Sequence, residues 1–432
     1  MGKRPPDPPG RGESAALSIT QPSTLDMPKR LVDLTTGLPS LTSLFDELGP
    51  LAEHSGGATI YYVHLPSNRL IEERFGWETL EAYDGLVSNF LCNVATDAKT
   101  TRSHCVVARA FADDYVLVAS GSATDEVIRN ITAEGMREHI DTMDNELAAI
   151  HEVYVGMAQI APFPKIHPER LLYRGIQQAQ SEATDVGRQK ISIQTRLLDR
   201  CIARRNFSMV FQPIVRLADR EIFAYEALVR CPEQQLRNPH VLFSIAEQGG
   251  RIWPLSRLLR SLAVDALPQM PDDALLFINL HPSDFDDPEL ITGEPRITEH
   301  AHKLILEVTE RAAITDFDRF SRNVQPLRDA GIRIAVDDLG SGYAALSSVT
   351  EINPDFIKFD MTLIRDIDAS PIRQNLLRNM ISFAADTGTE VIAEGVETKE
   401  ELATLCELGS DYVQGYYLGR PKPGFDSQTD PE

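Results

Sequence analysis

Basic residues are scarce in this chain: 42 Lys and Arg stand against 64 Asp and Glu, a formal net charge of −22 over 432 residues. A nucleic-acid polymer or an anionic membrane needs a basic face, so neither is expected as the main partner, and a small anionic substrate would need local positive charge. Long apolar runs are missing too. None approaches the ~18 residues of a membrane span, and the N-terminus has no apolar signal core, which predicts a cytoplasmic chain without a membrane span. Cysteines number only five (Cys92, Cys105, Cys201, Cys231 and Cys406), an odd count without Cys-x-x-Cys spacing. That disfavours a disulfide framework or a zinc centre and fits idle thiols in a reducing compartment.

The length suits two domains, each able to bury a large core. Residues 1–30 are rich in Pro, Gly and Ser and poor in large apolar groups, which predicts a disordered tail. From Leu31 the pattern becomes globular. Asp33-Leu-Thr-Thr-Gly-Leu-Pro-Ser40 opens a helix expected to run through Leu48, and Ala58–Val63 reads as a strand. A hairpin is expected from the pair around Val106–Arg109 and Tyr115–Val118, and proline breaks 161–168 into a loop. A helix including Glu169–Gly175 follows. Polar, helix-prone sequence then leads through Lys190-Ile-Ser-Ile193, expected as a final strand and short linker. The expected divisions are a tail at 1–30, an α/β domain at 31–195 and a second domain at 196–427.

The second domain is organised around Arg333-Ile-Ala-Val-Asp-Asp-Leu-Gly-Ser-Gly-Tyr343. Ile332, Ile334 and Val336 alternate with Arg333, Ala335 and Asp337, as on a strand that ends in paired carboxylates and a double-glycine loop. Two adjacent acids at a strand end invite a cation. Similar short apolar runs end at Glu226, Asn279, Glu307, Lys358 and Glu394, each separated from the next by a helix-length segment. Such alternation predicts a parallel α/β barrel, a TIM-like (β/α)8 fold whose strand ends meet at one face. Five oxygen-bearing residues and a lysine would converge there. Hard oxygen donors suit Mg²⁺ or Mn²⁺ rather than zinc. Two such cations about 3.5–4 Å apart can activate water against a phosphodiester. Surrounding acids should hold Lys358 as an ammonium, which argues against a Schiff-base aldolase.

From Phe207 to about Phe425 the sequence resembles the EAL family of cyclic di-GMP phosphodiesterases. Glu226-Ala-Leu228 is the motif itself, and Gln212-Pro-Ile214, Asn279, Glu307-Val-Thr-Glu310, Asp337-Asp338, Lys358 with Asp360, Glu394-Gly-Val-Glu397 and Gln414-Gly415 follow the family order. The resemblance implies two metal ions per domain. Glu226, Asn279 and Glu307 would serve the first, Asp338 the second, and Asp337 would bridge them. Glu394 would help to hold the attacking water, with Lys358 at the water or the phosphate. Arg230 would grip a phosphate, Gln212 and Gln414 would contact substrate, and Glu310, Asp360 and Glu397 would brace the loops. Leu339, Ala344 and Ala345 stand where the family loop has Phe, Ser and Ser, and Cys231 where an aromatic residue is common. His300 and His302 lack acid or cysteine partners and read as strand-entry residues.

The first domain resembles a degenerate GGDEF domain, the family that condenses GTP into cyclic di-GMP. Asp33–Pro39 matches its opening, and Arg109-Ala-Phe-Ala-Asp-Asp-Tyr115 stands at the signature, with Phe111 and Ala112 for its glycines. His64 replaces the metal aspartate, and the inhibitory Arg-x-x-Asp site reads Arg102-Ser-His-Cys105. Asp113 and Asp114 are either turn residues or the remnant of a cation site. The resemblance therefore implies an inactive regulatory domain for which GTP is a candidate ligand, joined to a barrel that cuts cyclic di-GMP to linear pGpG and pairs as a homodimer. The alternatives are a receptor that binds cyclic di-GMP without cutting it and a scaffold that binds neither.

Overall fold

The computed structural model describes residues 31–44, 57–100, 104–111, 113–120, 135–141, 147, 151–161, 163, 165–309, 317–339 and 351–425. The tail at 1–30, the helix beyond Leu44, Arg102, Ala112, Glu310, Ala344 and Ala345 lie outside them. So does the side chain of Asp338. The chain divides into two compact units, one of residues 1–144 and 151–184, the other of 145–150 and 185–432.

The first unit carries a four-stranded antiparallel sheet of order β2-β3-β1-β4, formed by β1 (Ala58–His64), β2 (His104–Phe111), β3 (Asp114–Ser120) and β4 (Tyr154–Ile160). β1 is central, and its residues 58–63 are buried on both faces, with Ala58, Ile60, Val63 and the rings of Tyr61 and Tyr62 supplying the apolar surface. The Asp33 turn is held from within. Its carboxylate accepts from Thr36 N–H at 2.9 Å and Thr36 Oγ1 at 2.8 Å, and Gly37 takes the positive φ of 68° that closes the turn. Arg109 then ties this turn to the sheet, donating to Asp33 at 3.0 Å and to Asp84 at 2.6 Å.

Residues 190–193 are helical, not a strand: one helix runs Pro168–Ala203. Ile191 and Ile193 alternate as in a strand, but four residues are too few to fix a period. The flanking sequence keeps a helical seam, with Leu172, Ile176, Ala179 and Ala183 buried earlier and Leu198 and Cys201 later, while Ile193 stays exposed. No Gly or Pro interrupts the segment between Gly187 and Ala203.

The second unit is a closed eight-stranded barrel of order β10-β11-β12-β5-β6-β7-β8-β9. The strands are β5 (Ser208–Arg216), β6 (Ile222–Arg230), β7 (Leu275–Asn279), β8 (Leu304–Thr309), β9 (Arg333–Leu339), β10 (Phe356–Phe359), β11 (Glu390–Ala393) and β12 (Tyr412–Val413). The expected all-parallel barrel is broken at β5, which runs antiparallel to both β6 and β12. Only residues 217–221 separate β5 from β6, and a parallel pair needs a crossover of about a dozen residues or more. That turn is closed by Arg220 N–H on Arg216 O at 2.9 Å with Arg220 at φ 64°.

Side chains alternate through the barrel wall. Outward-facing Tyr225, Leu276, Ile278, Leu306, Ile334, Val336, Ile357 and Val391 belong to one continuous core with helices such as Phe317–Asp329 and Pro371–Thr387. Inside, Ile214, Ala224, Phe277, Ile305, Ala335, Phe356, Ile392 and Tyr412 form a second apolar layer. Each large side chain fully buried there contributes roughly 1.5–3 kcal/mol. One step further along each strand the inward residues turn polar, and that next layer is the site.

Candidate active site

The polar layer follows from strand parity. On β7, Phe277 faces inward and so does Asn279; on β8, Ile305 and Glu307; on β9, Ala335 and Asp337; on β10, Phe356 and Lys358. The register pairs Asn279 with Glu307 and Gln212 with Glu226, so the members of each pair lie side by side on neighbouring strands. Glu394 follows β11 directly, and its N–H bonds Phe359 O at 3.0 Å.

Lys358 lies at the centre of this layer. Its Nζ is 2.6 Å from Glu394 Oε1, 2.8 Å from Glu307 Oε1, 3.4 Å from Asp337 Oδ1 and 3.5 Å from Glu226 Oε2. Lys358 and Glu307 are each only 1% exposed and form the floor, while Asn279, Asp337 and Glu394 reach towards solvent. Burial opposes the ammonium, but the charges of Asp337, Glu226, Glu307 and Glu394 outweigh it and hold Lys358 well above its ordinary value. That direction agrees with the ammonium expected of Lys358.

The carboxylates respond differently to the same burial. Glu226 is pushed up by desolvation, but the Lys358 charge and hydrogen bonds from Gln414 and Asn279 bring it below the usual range. Its Oε1 accepts from Asn279 Nδ2 and its Oε2 from Gln414 Nε2, both at 2.7 Å. Glu307 has no such donors: desolvation raises it well above the ordinary value, Lys358 offsets part of this, and Glu226 and Asp337 add to the rise. Glu394 is likewise raised, first by desolvation. Environment thus moves proton affinities within one layer in opposite directions, Glu226 down and Glu307 and Glu394 up.

A family model described as the EAL domain matches residues 195–421, slightly over half of the chain. The chain belongs to the EAL domain family. It is 34% identical over 225 residues to the cyclic di-GMP phosphodiesterase NbdA of Pseudomonas aeruginosa, a match covering 49% of this chain and 28% of that protein. An uncharacterized protein of Sinorhizobium fredii is 25% identical over 427 residues, which is 92% of this chain and 50% of the relative. The chain thus spans half or less of the length of these curated relatives. Among solved structures, the S helix-GGDEF-EAL portion of Vibrio cholerae LapD, bound to c-di-GMP, has the same fold at a TM-score of 0.51 and 17% identity, covering 89% of this chain and 95% of that one. The FimX EAL domain of Pseudomonas aeruginosa has a TM-score of 0.51 at 22% identity, covering 54% and 98%.

Other expected site residues of the EAL barrel fall into three groups. Gln212 and Gln414 join the layer from within: Gln414, 3% exposed, bonds Glu226 and Gln212, while Gln212 bonds Gly419 O at 3.2 Å. Arg230 ends β6, four residues beyond Glu226, and its guanidinium donates to Val229 O at 2.8 Å. Asp360 caps the turn Met361–Ile364 by accepting from Thr362 N–H at 2.8 Å, and exposed Glu397 pairs with Arg365 at 3.2 Å. His300 precedes and His302 lies within the short turn Ala301–Lys303 before β8.

Two glycines carry more than the sequence reading gave them. A Cβ on Gly395, which has φ 72°, would lie 2.3 Å from Met361 Cβ, and one on Gly415 would lie 2.2 Å from Val396 O. These close approaches let the chain turn directly after Glu394 and Gln414. A glycine straight after a strand-end acid or amide is the signal that could have found them.

EAL family membership implies a divalent-metal-dependent reaction. Among the described residues, no three His, Cys, Asp or Glu side chains converge as a ready metal cluster; the carboxylates close around an ammonium instead. The donor chemistry nevertheless fits a hard cation. All donors are oxygen, and Glu307 Oε2 is buried without a hydrogen bond among the described residues.

Proposed function

We infer that the barrel hydrolyses cyclic di-GMP to linear pGpG, using two Mg²⁺ or Mn²⁺ ions. The observation that carries this reading is the single polar layer of Glu226, Asn279, Glu307, Asp337, Lys358 and Glu394, open at the C-terminal end of the parallel strands. The substrate comes from the relatives, among them the phosphodiesterase of Pseudomonas aeruginosa. Glu226, Asn279, Glu307, Asp337 and Asp338 would hold the metals, which supply charge neutralisation and an acidified water.

The chain's own residues supply the rest. Gln414 and Asn279 fix both oxygens of Glu226, so this carboxylate is oriented before substrate arrives. Lys358 brings positive charge to a strongly acidic mouth, where it offsets charge developing on the phosphoryl oxygens. Glu394, on the open side of the layer, is placed to orient the attacking water. Water adds to phosphorus, one ring P–O bond breaks, and its oxygen leaves as the ribose hydroxyl of the linear product. Arg230 lies at the end of β6, where its guanidinium would exchange its bond to Val229 O for a substrate phosphate.

The first unit is read as a degenerate GGDEF domain that regulates the barrel and makes no cyclic di-GMP. Supporting this, His64 Nδ1 is 2.7 Å from Asp114 Oδ1, so two groups at the signature hairpin satisfy one another, and Phe111 stands 62% exposed beside them. Domain limits of 31–195 and 196–427, a homodimer through the barrel, GTP as a ligand of the first domain and a cytoplasmic location complete the proposal. Incubating the full chain with cyclic di-GMP and Mg²⁺ and separating the nucleotides by chromatography tests it. Accumulating pGpG is expected; binding without cleavage would replace the enzyme with a receptor. Cyclic di-GMP formed from GTP would refute the inactive first domain.

A further inference from the structure

The reach of Lys358 across the barrel mouth needs an explanation beyond phosphate binding. β10, which carries it, lies four places from β6 either way round the ring of eight strands, so Lys358 and Glu226 start on opposite walls. The four-methylene stem nevertheless brings Nζ within 3.5 Å of oxygens from four acids on different segments: Glu226, Glu307, Asp337 and Glu394. Glu226, Glu307 and Glu394 have no other basic partner among the described residues. Four acids brought together out of water repel one another and lose hydration, so an internal cation is required to assemble them.

We propose that the Lys358 ammonium is a resident counter-ion that keeps this carboxylate ring assembled before a divalent cation binds, and that loading the cation displaces the ammonium. The inference rests on the reading of the ring as a divalent-metal site. A hard cation such as Mg²⁺ holds its oxygens at about 2.0–2.1 Å. The ammonium already sits 2.6 and 2.8 Å from Glu394 and Glu307. A metal sharing those oxygens would press against a group of the same sign, so Lys358 must withdraw towards the open mouth. There it meets the substrate phosphate. One side chain thus keeps the ring folded without metal, weakens metal binding, and reaches substrate only after loading.

The test uses the full chain, stripped with chelator, and the variants Lys358→Met and Lys358→Gln. Calorimetry with Mn²⁺ alone reads affinity, and thermal melting with and without Mn²⁺ reads stability. At least a ~10-fold tighter Mn²⁺ dissociation constant is expected in the variants, with a lower melting temperature than the native chain in chelator and a larger rise on adding Mn²⁺. Unchanged or weaker Mn²⁺ binding in folded variants would overturn the displacement. Should both variants unfold in chelator, refolding by Mn²⁺ supports the proposal and failure to refold at saturating Mn²⁺ overturns it. A native chain that binds no divalent cation would instead remove the metal-site reading beneath it.

Discussion

Replacing Glu226 by Gln separates the chemistry of the site from its fold. The side chain keeps its shape but loses its charge, and one oxygen becomes an NH₂ group facing a donor 2.7 Å away, either Asn279 Nδ2 or Gln414 Nε2. That clash is relieved if Gln414 turns over, since its buried Oε1 accepts no hydrogen bond among the described residues and can then accept from the new amide. The turn forfeits the 3.3 Å bond to Gln212. One neutral hydrogen bond is worth about 0.5–1.5 kcal/mol, and removing a buried charge offsets part of the loss, so stability should change by no more than ~2 kcal/mol. The reaction should suffer more. A neutral amide binds a hard cation more weakly than a carboxylate does, and turnover should fall at least ~100-fold, about 2.7 kcal/mol of barrier. Chromatography of pGpG gives the rate and thermal melting gives the stability. A variant that melts like the native chain and turns over within about tenfold of it would refute the assignment of Glu226.

Mg²⁺ or Mn²⁺ should support hydrolysis and Ca²⁺ should support it poorly, because the larger ion relaxes the geometry; equal initial rates with Ca²⁺ and Mg²⁺ would count against two-metal catalysis. His64 is raised above its ordinary value of 6.5, chiefly by its hydrogen bond to Asp114 and despite burial. The pair's contribution is therefore full below about pH 6.5 and lost as pH rises through the folded-state value. Asp114→Asn should cost most in acid and least in alkali, as read by denaturant titration at several pH values; a pH-independent cost would remove the charged pair. Gly156→Ala should destabilise by at least ~1–3 kcal/mol, because its Cβ would lie 1.9 Å from Ala179 O. Gly85→Ala, with open space at the same test and a helical setting, should instead stabilise by up to ~1 kcal/mol; equal effects at the two glycines would show that the close packing of β4 on the helix is illusory.

Much of the barrel was legible because parity is local. In Arg333–Asp337 the alternation assigns Asp337 to the face opposite Ile334 and Val336, and the fold places those two in the outer core. The antiparallel β5 was legible in principle from the five residues between Arg216 and Ile222, too few for a crossover, whereas a polar strand end by itself does not encode strand direction. Lys190–Ile193 failed for the opposite reason. A period of two over four residues cannot compete with the helical seam on either side, where Ala183 and Leu198 continue one face of Pro168–Ala203.

The chemistry of the site was legible residue by residue, whereas the arrangement of its charges was not. Sequence order puts Glu226 and Lys358 132 positions apart, from their numbers in the chain. Only closure of the barrel makes them neighbours at 3.5 Å. Nor does sequence tell which acid's proton affinity falls and which rises. Glu226 and Glu307 are the same residue type in the same polar layer, yet Asn279 and Gln414 each give Glu226 an amide donor, while the Glu307 carboxylate receives none from an amide among the described residues and meets only the Lys358 ammonium. Desolvation raises both, but at Glu226 the Lys358 charge and those donors overcome it, so the two proton affinities move in opposite directions. The same logic extends to Gln414, which the pattern suggested as a substrate contact. With 3% exposure and its donor turned to Glu226, it acts first on the carboxylate. Gln414→Leu should then change metal affinity as well as turnover, whereas loss of a pure substrate contact would raise KM alone and leave Mn²⁺ calorimetry unchanged.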